Sequence, residues 1–253
     1  MRSIFAIGAS ALALAASPAL AQDEDDWTGG YIGVQGGYSS VKSDSTATLG
    51  GAWTSESAAL RNEVTTNLGT KQSDGDLNFG AQIGYNFQTG GAVLGLEGES
   101  LALNGGETIS RGPIATTVFP GLSYTYRNTI DPKHMFALKA KLGASSGSTL
   151  FYAEGGWAWT KAAVGAGITS NGNYLKGGTV DRTFDGFIVG AGIEHRLGSN
   201  IGLRLSYHYA DQGDKTYNTA YLPGSAFVTP PYSETINQNL RLHLVRVGIN
   251  YHF

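Results

Sequence analysis

The chain has 253 residues, enough for one domain of ordinary size, and 37 of them are glycine. Only 15% of the residues are charged, well under the ~25% of a typical soluble domain, and the formal net charge of -3 argues against a nucleic-acid partner, which needs a basic face. There is no cysteine, so disulfides, thiolate metal sites and cysteine nucleophiles are excluded.

The first element is a signal peptide over residues 1–21. Arg2 supplies a positive start, Ile4 to Ala16 form a short apolar run, and Ser17-Pro18-Ala19-Leu20-Ala21 ends in the small-x-small pattern of a cleavage site after Ala21. The run is shorter than the ~20 residues a spanning helix needs. The mature chain then opens on Gln22-Asp23-Glu24-Asp25-Asp26, an acidic periplasmic tether assigned to residues 22–28. No later stretch is apolar enough for a helical span. Only helices and closed barrels satisfy every backbone polar group in lipid, so a membrane-embedded mature chain has to be a barrel, over residues 29–253.

Eight segments alternate with period 2: residues 31–40, 77–87, 92–103, 134–144, 149–161, 183–197, 201–210 and 240–253. The second is the clearest. Leu77, Phe79, Ala81, Ile83, Tyr85 and Phe87 share one face, and Asn78, Gly80, Gln82, Gly84 and Asn86 the other. One greasy face and one small or polar face is the pattern of a transmembrane barrel strand. The fold class expected is all-β: an eight-stranded antiparallel up-and-down transmembrane β-barrel. Short connections at 89–91, 145–148 and 198–200 read as periplasmic turns. Long ones at 41–76, 104–133, 162–182 and 211–239 read as extracellular loops. Phe87, Phe151, Tyr251 and Phe253 fall near the short-turn end. Phe79, Phe136, Trp157, Trp159, Tyr207 and Tyr209 fall near the other, as two interfacial girdles would require. A soluble sandwich would alternate too, but it would not need aromatics at both ends.

The same alternation puts Glu97, Glu99, Lys139, Lys141, Glu154, Glu194, Arg196, Arg204 and Arg246 inward. Paired carboxylates could do acid–base work. A lumen salt-bridge network is the plainer reading, because eight strands leave room for little beyond packed side chains. Inward Gly80, Gly84, Gly190 and Gly192 leave open a water-filled pocket or narrow conduit. Turn geometry sets register. Centring the second short turn between Ser146 and Gly147 puts Lys139 opposite Glu154 and Phe136 opposite Trp157. Centring the third on Ser199 puts Glu194 opposite Arg204.

Four stretches resemble the small outer-membrane barrels of the RopB type, within the wider OmpA-like eight-stranded barrels. They are Trp27-Thr28-Gly29-Gly30-Tyr31-Ile32-Gly33, Tyr152-Ala153-Glu154-Gly155-Gly156-Trp157-Ala158, Gly190-Ala191-Gly192-Ile193-Glu194 and Tyr207-His208-Tyr209-Ala210-Asp211. The resemblance covers nearly all of the mature chain. It implies location in the cell outer membrane, with outer-membrane lipid and lipopolysaccharide as surroundings. The terminal Tyr251-His252-Phe253 is similar to the aromatic signal read by the outer-membrane assembly machinery. Members are variously porin-like, structural, surface-antigenic or haem-binding. The expected function is therefore a structural, surface-exposed envelope protein with at most weak porin-like activity. The alternative is a receptor that captures haem or a host ligand at the long loops.

No catalytic, cofactor or metal site is expected. The lipid A deacylases resemble this chain in size and use a His-x-Ser pair, but His208-Tyr209-Ala210 has alanine in place of the nucleophile. His-Glu-x-x-His and Gly-x-Ser-x-Gly are both missing from the sequence. Haem could use His134, His195, His208, His243 or His252 with Tyr217, Tyr221 and Tyr232, yet none of these shows ligand spacing.

Overall fold

The computed structural model describes residues 26–253. The signal peptide and the start of the acidic tether lie outside the described residues. The elements are β1 (Gly29–Gly51), a 3-10 turn (Ala52–Ser55), α1 (Ala58–Leu68), β2 (Thr70–Thr89), β3 (Ala92–Leu103), β4 (Glu107–Ala115), β5 (Ser123–Ser146), β6 (Thr149–Ser170), β7 (Leu175–Arg196), β8 (Ile201–Asn218), β9 (Ala220–Tyr221) and β10 (Tyr232–His252). Eight of these strands form an antiparallel ring in chain order, β1-β2-β3-β5-β6-β7-β8-β10, closed by the β10–β1 and β3–β5 ladders. The other two stand outside it. β4 takes over from β3 as the partner of β5, beginning at Glu107 opposite Ile130, and β9 pairs with β7.

The ring is far taller than the eight expected segments. Most of what reads as long loop is strand continuing past the membrane. The cause is an inversion of polarity along each strand. In β1, Ile32, Val34 and Tyr38 point outward to lipid and are about half exposed or more (49%, 64% and 52%). Higher in the same strand Val41 and Ala47 are buried inside, while Lys42 and Thr48 are exposed. In β6, Phe151, Trp157 and Trp159 face out, and then Ala162, Val164, Ala166 and Ile168 face in. The period of 2 continues, but the solvent outside changes from hydrocarbon to water, so the apolar side changes from out to in.

Register follows the third turn as expected: Glu194 stands opposite Arg204. The second turn corrects the sequence reading. Ser146 pairs with Thr149 around Gly147-Ser148, and Gly147 takes the left-handed φ of 57° that a glycine accepts without strain. Lys139 therefore faces Gly156, Lys141 faces Glu154, and Phe136 faces Trp159. The Phe136 and Trp159 rings stack 5.9 Å apart on the lipid side. Moving a turn centre by one residue moves each partner by two, so the register changes while every face is kept.

Candidate functional site

The lumen is filled at successive heights. At mid-membrane lies a layer of charge contributed by five strands. Lys139 reaches Glu97 at 2.7 Å, Glu99 at 2.7 Å and Glu154 at 2.8 Å. Arg204 donates to Glu97 at 2.5 Å and to both Glu154 oxygens at 3.0 Å. Arg246 donates to Glu99 at 2.5 Å and to His208 Nδ1 at 2.7 Å. Guanidinium has donors only, so His208 Nδ1 must accept. Its proton then sits on Nε2, which donates to Glu154 at 2.8 Å, and the ring is neutral. Lys141 donates to Tyr31 at 2.8 Å, and Tyr31 passes a hydrogen bond on to Glu97 at 2.7 Å. All of these side chains are buried.

All nine inward charges lie inside the ring, but only part of the set joins this layer. Glu194 pairs with His252 at 2.7 Å rather than with Arg204 across the ladder. Arg196 lies with its guanidinium 4.4 Å over the Trp27 ring. Trp27, assigned by sequence to the tether, is wholly buried and closes the periplasmic mouth with Val93, Leu150 and Tyr152. His208 and Tyr31 belong to the charge layer and were not among the site residues expected from sequence. The inward glycines do not leave voids. A Cβ at Gly84 would lie 2.4 Å from the Tyr31 ring, at Gly190 2.4 Å from His208, and at Gly192 2.3 Å from the Tyr152 hydroxyl. They make room for the large lumen side chains.

Above the charges the lumen turns apolar. Leu101, Met135, Ala137, Ala158, Phe184, Ile188, Leu242 and Leu244 are buried together. The helix α1 caps them. Its Leu60, Val64 and Leu68 recur every four residues on one helical face and are buried in the same cluster. The Ser57 side chain accepts from Leu60 N as an N-cap, and Arg111 of β4 donates to the carbonyls of Asn67 at 2.8 Å and Gly69 at 2.6 Å. The inward face is thus charged in its lower part and mixed above, where the apolar cluster is interleaved with buried Gln72, Asn128 and Gln238.

A knot of hydrogen bonds closes the extracellular end. Glu234 is fully buried and accepts from Trp53 at 2.5 Å, from Tyr174 and from Thr219, and pairs with Lys176 at 2.8 Å. Burial alone would raise this carboxyl; the bonds from Lys176, Thr219, Tyr174 and Trp53 outweigh it and hold it below the usual carboxylate range. A depressed folded pKa contributes stability above the ordinary value of about 4.3 and loses it as pH falls through the folded value. Measured relative to the intrinsic exchange rate at each pH, amide protection in the upper strands is expected to fall as pH is lowered below about 4. In Glu234→Gln it is expected to be low already at neutral pH. Equal protection in both proteins at neutral pH would contradict this role.

The matching family model, Outer membrane protein beta-barrel domain, covers residues 9–253. The chain belongs to this outer-membrane β-barrel family. Curated members of similar sequence are named outer-membrane immunogenic proteins. The 31 kDa protein of Brucella melitensis is 27% identical over 233 residues, covering 91% of this chain and 85% of that one. The 25 kDa protein of Brucella abortus is 25% identical over 231 residues, covering 90% and 79%. Among solved structures, OprG of Pseudomonas aeruginosa matches 92% of this chain and 100% of its own at 10% identity and a TM-score of 0.44. Ail of Yersinia pestis, in complex with a heparin analogue, matches 87% and 99% at 11% identity and a TM-score of 0.33. Family membership locates the protein in the cell outer membrane, in agreement with the lipid-facing belt of β1 to β10.

Proposed function

We propose that this family member is a closed, non-catalytic structural barrel of the RopB type that displays a rigid extracellular surface and conducts little or nothing. The observation that carries this reading is the filling of the lumen at successive heights: Trp27 below, the Lys139 and Arg204 charge layer in the middle, and the α1-capped apolar core above. The charged groups of the middle layer are held by one another, which favours a structural role for them over acid–base work. The relatives named as immunogenic support the view that the upper strands form an exposed antigenic surface. Exposed Tyr251 and Phe253, both on the lipid side, support recognition by the assembly machinery.

Capture of haem or another host ligand at the loops finds less support. Among the described residues, His208 and His252 are held inside the lumen, and His243 bonds Tyr207 on the wall at 2.9 Å. Tyr217 donates to Gln238 at 2.8 Å, and Tyr232 to Glu56 at 2.7 Å. Refolded protein in a planar bilayer is expected to give no sustained channel openings. Stable openings in the unmodified protein would overturn the closed-barrel reading.

A further inference from the structure

We propose that a groove on the outer wall of the extracellular half binds a negatively charged sugar of the lipopolysaccharide core. The groove has a volume of about 460 Å³ and spans β4 to β7, with Leu222 at one rim. Register sets out its floor and walls. One row runs Ser110, Arg127, Gly167, Gly177 across four strands. The row nearer the membrane runs Thr129, Gly165, Thr179, and the row beyond pairs Thr125 with Thr169. Gly165 thus sits between Thr129 and Thr179, and Gly167 between Arg127 and Gly177.

These residues face outward. Their neighbours along the strands, Tyr124, Tyr126 and Ile130 in β5 and Val164, Ala166 and Ile168 in β6, are buried inside. Arg127 is exposed, and no ion pair or hydrogen bond engages its guanidinium among the described residues. Its wall position differs from that of Arg204 and Arg246 in the lumen, which are held by carboxylates.

The chemistry of the lining selects the ligand class. Hydroxyls set around a floor of glycines that carry no side chain suit the edge and face of a sugar ring. A free guanidinium suits one phosphate or carboxylate, which it binds through two parallel hydrogen bonds. Location selects the source. Gly167 lies eight residues above Trp159 of the outer girdle, about 20 Å along the membrane normal for a tilted strand. At that height an opening in the side wall looks into the sugar layer of the surrounding leaflet rather than out into free solution.

The test uses the full mature chain refolded in detergent, with three probes. They are purified lipopolysaccharide that keeps its phosphorylated inner core, lipid A without core sugars, and a soluble heparin fragment as competitor. Two variants are compared with the unmodified protein. Arg127→Gln removes the cation, and Gly167→Ala raises the floor at a position where a Cβ meets its neighbours at ordinary distances of 3.4–3.8 Å. The expected result is binding of core-bearing lipopolysaccharide that Arg127→Gln weakens at least tenfold and Gly167→Ala also weakens. Lipid A binding and thermal stability are expected to stay unchanged in both. The proposal is overturned if Arg127→Gln binds core-bearing lipopolysaccharide as well as the unmodified protein, or if lipid A alone binds as tightly. It is equally overturned if the heparin fragment displaces the core at lower concentration than the core itself requires, since the ligand would then come from outside the membrane.

Discussion

Arg204→Ala is expected to lower the unfolding free energy of the barrel by about 3–5 kcal/mol, the range for stranding a buried charge by deleting its partner. Arg204 is almost fully buried and is shared between Glu97 and Glu154, which come from different strands. Its removal leaves two carboxylates with Lys139 and Lys141 as their remaining cations. Adding Glu154→Gln to Arg204→Ala is expected to cost much less than the two single changes summed, because the second change removes one of the charges stranded by the first. Urea unfolding followed by the mobility difference between folded and unfolded protein measures each arm. Additive losses would mean that the lumen is wet enough to screen the pair, and the single loss would then fall toward about 1 kcal/mol.

Val64→Asp is expected to release α1 from the mouth without unfolding the ring. Val64 is fully buried in the upper core, where a carboxylate would lose its water shell. The strands below are held by their own ladders, so the helix is the part able to leave. Arg61 lies on the same helix, so trypsin cleavage after it reports the change. The rate is expected to rise at least tenfold, while folded-barrel mobility and the absence of channel openings persist, because the charge layer beneath α1 still fills the lumen. Unchanged cleavage would show that α1 is not held by its apolar face. New channel openings would show that the helix, rather than the charges, is the barrier.

The ring and its faces were legible because alternation of large apolar residues in segments such as 77–87 is strong and because a charge cannot face hydrocarbon. The upper strands were not. In β1 the continuing alternation of Val41, Ser43, Ser45 and Ala47 against Lys42, Asp44, Thr46 and Thr48 is carried by small side chains. Its apolar side is also the opposite of the one that defines a membrane strand. The four-residue spacing of Leu60, Val64 and Leu68 behind Ser57 was a readable helix signal inside a stretch taken as loop. The charged set was legible, but its partners were not. Lys139 contacts Glu154 at 2.8 Å although the ladder places Gly156 opposite it. Glu194 has Arg204 opposite and binds His252. In a narrow ring long side chains meet across the lumen, and sequence distance or ladder position does not determine which ones.

The continuous ladders have a consequence for whatever meets the far end of the molecule. β5, β6 and β7 run unbroken from the periplasmic turns to the tips, and hydrogen bonds join those tips: Asn171 N to Ser123 O at 3.2 Å, and Ala226 N to Asn173 O at 2.7 Å. A partner binding to disordered loops has to freeze them, which subtracts about 0.5–1.5 kcal/mol for each side chain immobilised. Here the backbone beneath the contact is ordered in advance. Recognition of this surface therefore carries a small entropic penalty, and a ligand or antibody that fits it meets the same shape at every encounter.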